Sequence, residues 1–377
     1  MSTIGLNPSG SIISAYFFKI CSWLVLLASP IHAIILSRTY SNNVNQSCNM
    51  IPITLRRSLL LFLLLLSVSS IFFASASGSV SLGWSEWLAA IQDSGSRHGE
   101  LIWRLRLPRA MAAWVVGSML AMSGCLMQVL LRNPLADPYV LGVSGGAAFA
   151  TLIGMVLGIA VSFLPWLAIL GALVSILIVF GLARGTGPWS GTRLLLTGVV
   201  TASGWAALIS LVLSLSPDNS LRGMLFWLMG DLSYAALPLW SLVVLGGSFI
   251  LTLGLARSLN VLAMGETTAR LLGEPTRQML WLVYLLASVL TATAVSIAGS
   301  IGFVGLIVPH LMRLLVGSDH RILIPAATLF GGLFLVLSDT LARTILSPQQ
   351  LPVGVITALL GVPLFLLLLN RARLKGV

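Results

Sequence analysis

From residue 58 onward the chain is a succession of apolar runs, each about as long as a hydrocarbon core is thick, and this limits what it can fold into. A core about 30 Å thick takes roughly 20 helical residues to cross. Segments of that kind are read at 58–76, 109–131, 139–160, 163–183, 193–214, 236–256, 278–299, 302–316, 322–346 and 353–370. Backbone polar groups must pair internally in lipid, so such runs become helices rather than open strands. The reading is an all-α polytopic membrane protein of about ten transmembrane helices. Segment 302–316 is short and contains Pro309, so neighbouring protein must satisfy its freed backbone groups.

Composition agrees. Only 8% of the 377 residues are charged and the mean hydropathy is +1.01, against roughly 25% charged residues in a soluble domain. The net charge of +11 is almost wholly arginine, the only lysines being Lys19 and Lys375. Nucleic-acid binding would gather that charge into one stripe. Here single arginines punctuate apolar runs, as loop charges do in membrane proteins. Ten crossings leave both ends of the unit on one side, which carries 13 of the basic residues against 6 opposite. The excess predicts cytoplasmic ends. Three of the minority, Arg104, Arg106 and Arg109, cluster just before the second helix and call for a separate explanation.

Residues 1–49 read differently. Residues 20–36 could form another helix, weakened by Lys19 and Pro30, and Ser41–Ser47 is a polar linker. Met50 with the arginines after it resembles a natural start, so 1–49 is read as a doubtful extension and 50–377 as the membrane domain. Small residues are dense inside the helices (Gly117, Ser118, Ala121, Ser123, Gly124, then Gly142 to Gly146). Faces of this kind let membrane helices approach closely, which predicts a tight bundle. A short echo between Ala121–Gly124 and Ala294–Gly302 hints at an inverted repeat.

The motif search excludes more than it finds. Neither lysine sits in a Gly-Lys-Ser/Thr phosphate loop, so the chain has no means of that kind for binding ATP. Cys21, Cys48 and Cys125, with four scattered histidines, show no ligand spacing, and no metal or other cofactor is expected on this chain. No paired carboxylates or Ser-His-Asp set marks an enzyme. His310 beside Pro309 reads as helix packing rather than proton transfer. Asp339 lies well inside a late helix. An ion there is a functional candidate by default, and Arg343 at i+4 offers the alternative of a structural pair near the outer end. Between Val261 and Gln278, Gly265 and Gly273 bracket a helix-competent turn with Glu266 and Arg270 spaced i,i+4. Gly273 can end it and Pro275 prevents its continuation. It is either a solvated connector or a short cytoplasmic helix that fits a partner's groove.

Several of these stretches together resemble the vitamin B12 and iron–siderophore ABC importer permeases, the FecCD type. They are Arg106-Leu107-Pro108-Arg109; Gly124; Asn133-Pro134-Leu135-Ala136-Asp137-Pro138; Leu141 to Ala147; Met264-Gly265-Glu266 with Ala269 to Gly273; Gly299 to His310; Asp319-His320-Arg321; and Leu351-Pro352-Val353-Gly354. The similarity runs in collinear order over about 55–373. It implies a ten-helix subunit that pairs with a second permease subunit, sits on two ATP-binding-cassette ATPase subunits that use the ATP, and receives a soluble substrate-binding protein from outside. It implies that Gly265, Glu266, Arg270, Leu272 and Gly273 couple to the ATPase, and that Arg106, Arg109 and Arg343 meet carboxylates of the binding protein. An ordinary basic rim is the rival for those arginines. The cargo expected is an iron(III)–siderophore, with cobalamin or haem as alternatives. An ion-coupled secondary transporter is the rival class, and it would show more buried acids and histidines at mid-depth.

Overall fold

The computed structural model describes residues 53–78, 83–93, 95–183, 191–233 and 237–373, all within one unit, Ile53–Val377. The expectations for residues 1–49 fall outside them. The described residues are helical and contain no strand. In chain order the helices are α1 (Ile53–Ala76), α2 (Trp84–Gln92), α3 (Arg97–Glu100), α4 (Leu107–Leu130), α5 (Val143–Val156), α6 (Leu164–Ala183), α7 (Gly191–Leu215) and α8 (Asp218–Leu228). They continue as α9 (Leu239–Gly254), α10 (Ala256–Ala263), α11 (Glu266–Leu271), α12 (Thr276–Ala298), α13 (Val304–Val316), α14 (His320–Thr344) and α15 (Val353–Arg373). Among the described residues, six spans are long and apolar enough to cross a membrane by themselves, and α9 with α10 makes an apolar pair bent by 62° at a short break. Three shorter apolar helices, α5, α13 and α15, account for the remaining runs.

The centre of the bundle is α4, nearly all of whose residues are buried, α14 and α12. Glycine makes the crossing of α4 and α14 possible. A Cβ on Gly117 would land on the carbonyl oxygen of Gly331, and one on Gly331 would strike Ala121. Gly124 meets the carbonyl of Gly305 on α13 in the same way. With little hydrophobic drive between helices in lipid, close backbone contact and interhelical hydrogen bonds supply the cohesion. Ser118 Oγ donates to Thr328 O at 2.9 Å, and Ser123 Oγ to Ala287 O at 2.8 Å.

The expected span 139–160 is corrected by the structure, because it starts too early. Residues Pro138–Leu141 form a 3-10 turn, Gly142 turns the chain at φ +71°, and α5 holds 14 residues. Gly142 packs beside Ala202 and Gly198, near the midpoint of α7, and its carbonyl accepts from Ser175 Oγ at 2.8 Å. Helix α5 therefore begins halfway through the bundle. Helix α13, with 13 residues, does the same from the opposite direction: Gly305 packs against Leu120 and Gly124 of α4 and against Pro138. The two half-helices start close together, and the Ile301 N–H donates to Tyr139 Oη at 3.0 Å.

A π-helical stretch, Leu101–Arg106, runs directly into α4. Pro108 has no N–H to donate and would break an α-register ladder there. In the π register Leu107 N–H pairs with Ile102 O, five residues back, so the helix passes the proline without ending.

Candidate functional site

Three polar constellations stand out on this apolar frame. The first lies at the arginine-rich end of the bundle, where α10 and α11 form a short platform. Glycine shapes it at both edges: Gly265 has φ +119° and Gly273 φ +82°. Gly273 N–H donates to Arg270 O and Glu274 N–H to Ala269 O, each at 3.0 Å. This double bond with a left-handed glycine is the Schellman way of satisfying a helix's last carbonyls. Glu266 and Arg270 pair across one turn, and Glu266 also takes Arg132 at 3.2 Å from the end of α4. Arg270 Nε donates to Thr276 Oγ1 at 3.3 Å, and Ser258 Oγ to Glu274 Oε1 at 3.0 Å. These bonds tie the platform to α4 and α12. The outward side is apolar: Met264, Leu271 and Leu272 are exposed, Leu271 by 84%. Large apolar side chains held out from a polar, tied-down turn are what a partner's groove would take.

The second constellation is at the opposite end and centres on Asp339, which is 1% exposed. Arg109 Nε donates to both carboxylate oxygens at 3.1 Å and its Nη2 to Oδ1 at 2.8 Å. Arg343 Nε lies 3.0 Å from Oδ2 as an ion pair without the alignment of a hydrogen bond. The i,i+4 spacing of Asp339 and Arg343 thus becomes one side of a two-armed clamp. Arg343 also reaches Ala74 O and Ser77 O at 3.4 Å, and Arg106 Nη1 donates to Ser75 O and Ala76 O at 3.2 and 2.9 Å. Ala74, Ser75 and Ala76 carry the last carbonyls of α1, which have no partner within the helix and hold the negative end of its dipole, and Ser77 follows directly. Gly78 leaves the space: a Cβ there would sit 2.9 Å from Arg106 Nη2.

The docking expectation had Arg106, Arg109 and Arg343 meet carboxylates of a binding protein. In this chain Arg106 and Arg343 are 5% and 6% exposed, engaged with α1's end and with Asp339. Arg109 keeps an exposed edge, where Nη1 donates to Gln350 Oε1 at 2.9 Å.

The third constellation is the meeting point of the half-helices, and the sequence reading did not single out its residues as a site. Asp137 accepts from Tyr139 N–H at 2.8 Å and so fixes the turn that places the Tyr139 hydroxyl on Ile301. Its signal was the Asp-Pro pair, an acid at a cap position before a proline, read only as part of a motif. Alongside, Phe303 is held at φ +71°, an outlier for a bulky residue. It lines an open groove of about 590 Å³ with Met229, Ser300, Val355, Ala358 and Val362. His310 packs edge-on to Phe365, ring centroids 6.4 Å apart. Among the described residues no group of three His, Cys, Asp or Glu side chains could hold a metal.

Against known proteins, the FecCD transport family matches residues 59–371. The Hemin transport system permease protein HmuU of Yersinia pestis is 40% identical over 331 residues, covering 84% of this chain and 96% of that one. The Vitamin B12 import system permease protein BtuC of Salmonella paratyphi A is 39% identical over 319 residues, 82% and 95% of the two chains. A solved structure of a metal-chelate type ABC transporter in an inward-facing conformation superposes with a TM-score of 0.73 at 33% identity, over 84% of this chain and 99% of that one.

Proposed function

The chain belongs to the FecCD transport family, and on that premise we propose that it carries an iron(III)–siderophore across a bacterial inner membrane as one of two permease subunits over two ATPase subunits. That it is an ABC importer permease follows from the family and from relatives along nearly the whole chain. The ATPase part of this reading rests most on the platform at the arginine-rich end. A chain without a phosphate-binding loop needs a motor on another polypeptide. Met264, Leu271 and Leu272 are the side chains offered to it, while Glu266, Arg270 and Gly273 hold them in place.

A second permease subunit is supported by α7. It spans a membrane's thickness, yet this chain leaves most of it uncovered, and Ser203, Gly204, Ala206, Ala207 and Ser210 are exposed along it. Small residues suit helix packing better than lipid. At the opposite end a carboxylate of a soluble binding protein would meet Arg109 at Nη1, in competition with Gln350. The groove beside Phe303, apolar apart from Ser300, suits a bulky chelate with a largely apolar outer surface. Haem and cobalamin fit that description as well, and relatives named for each are about equally similar.

The test is uptake by proteoliposomes holding the full complex, with ATP inside. The cargoes are a ⁵⁵Fe-loaded hydroxamate or catecholate siderophore, haemin and cyanocobalamin. Accumulation of the siderophore alone is the expected result. Accumulation of haemin or cyanocobalamin instead would replace the cargo, and a chain that purifies without any ATPase subunit would remove the importer reading for it.

A further inference from the structure

The coupling platform is joined to the rest of the protein at one more place, on a residue that the transport reading leaves unused. Asn260 lies on α10, whose buried face is Ala256, Leu259 and Leu262. Its Nδ2 donates to Asp319 Oδ1 at 2.8 Å, and its Oδ1 accepts the backbone N–H of His320 at 2.9 Å. The His320 ring Nδ1 lies 2.6 Å from the same oxygen, and His320 is 3% exposed. Asp319 in turn caps α14 by accepting from Arg321 N–H at 3.1 Å. One amide therefore uses both its ends on the first turn of α14, in the geometry that only a side chain with donor and acceptor side by side can supply.

Helix α14 leads from that joint to Asp339. The 19 residue steps from His320 to Asp339 amount to about 28 Å at an α-helical rise. Asp339 grips Arg109 at the start of α4, α4 crosses α14 glycine to carbonyl, and Arg132 at the far end of α4 holds Glu266 of the platform. The two central helices are thus bonded to each other at one end and to the same platform at the other. Through Asn260 a displacement of α10 and α11 pulls directly on α14, with the half-exposed Arg132–Glu266 pair as a weaker second tie to α4. We infer that Asn260 is a positioning residue of the transport cycle: its bonds to Asp319 and His320 are the joint that passes motion of the ATPase-contacting platform into α14. The inference rests on the reading of α10–α11 as the ATPase contact.

The test uses the full permease purified with its ATPase subunits and reconstituted in nanodiscs, with phosphate release measured with and without the binding protein. Asn260→Asp keeps the acceptor for His320 but sets a carboxylate against Asp319. Adding Asp319→Asn restores a donor–acceptor pair with the roles exchanged, and asparagine still caps α14. Asn260→Asp should assemble and hydrolyse ATP at a basal rate within about twofold of wild type, and lose at least fivefold of the stimulation by binding protein. The exchanged pair should recover at least half of that stimulation. A merely structural role would lower assembly and basal rate together and leave the stimulation ratio alone; that outcome overturns the inference, as does wild-type stimulation in Asn260→Asp. Should Asn260→Asp fail to assemble, the exchanged pair decides: assembled and stimulated supports the joint, and failure there overturns it. A wild-type chain that brings no ATPase subunit with it overturns the transport reading and this inference with it, a result distinct from the others.

Discussion

Replacing Asp339 by alanine removes one carboxylate and strands two guanidiniums. Arg109 loses the acceptors of its Nε and Nη2, and Arg343 the anion 3.0 Å from its Nε. Arg106 is close enough to feel Arg343's charge, so what remains is three like charges around a cavity. An exposed ion pair would be worth about 0–1 kcal/mol. This one is buried, and removing one partner of a buried pair costs about 3–5 kcal/mol, most of it the uncompensated charge. At on the order of 2 °C per kcal/mol for a large domain, Asp339→Ala should lower the apparent Tm in detergent by roughly 6–10 °C. The double variant Asp339→Ala/Arg343→Met removes one of the stranded charges as well and should recover a large part of that loss. Fluorescence-detected thermal unfolding of the purified permease measures both. An Asp339→Ala protein melting within about 2 °C of wild type, or a double variant less stable than the single, would refute the clamp.

Two further outcomes follow from local geometry. Gly124→Val puts branched carbon onto the Gly305 carbonyl and should cost more than the roughly 1–3 kcal/mol of ordinary overpacking, read as loss of folded permease in size-exclusion chromatography; Gly181→Val, where a Cβ would meet nothing, is the control. Gly273→Val meets no atom either, so its cost is the left-handed backbone alone, about 1–2 kcal/mol. Insertion should survive while ATPase-driven uptake falls, and uptake unchanged from wild type would dismiss the cap.

Much of this was legible in the sequence because membrane helices announce themselves by length and apolarity. The runs at 109–131, 278–299 and 322–346 correspond to α4, α12 and α14, and the Gly265–Gly273 bracket to α11 with its Schellman end. What hydropathy could not show is depth. Residues 139–160 are apolar throughout, so nothing in their composition distinguishes a full span from a turn followed by a half-helix. The distinguishing signals were conformational: Asp137 as a cap, Pro138 after it, and Gly142 where φ must be positive. Nor could spacing tell which way an arginine faces. Arg106 and Arg109 are three apart and lie on one side of a helix, yet one caps α1 and the other binds Asp339. The π turn that ends at Arg106 and the end of α1, about 30 residues earlier, set that difference.

The inward turn of these arginines also bears on orientation. Loop charges orient a membrane protein only where they must be kept out of, or drawn across, the bilayer during insertion. Of the six basic residues assigned to the outer side, Arg106, Arg109 and Arg343 are engaged with Asp339 or with α1's carbonyls in the folded chain. They are charges engaged inside the bundle rather than loop charges. Set aside, they leave three outer residues, Arg97, Arg104 and Arg222, against 13 on the other side, a stronger bias toward cytoplasmic ends than the raw count gave. Arg104 and Arg270 are well exposed, at 78% and 61% of their side chains, and sit at opposite ends of the bundle. With Cys21, Cys48 and Cys125 changed to serine, single cysteines at 104 and 270 can be treated with a membrane-impermeant maleimide on spheroplasts. Position 104 should label at once and position 270 only after the membrane is opened. Labelling of 270 on sealed spheroplasts, with 104 protected, would invert the topology and place the platform on the side where no ATPase could reach it.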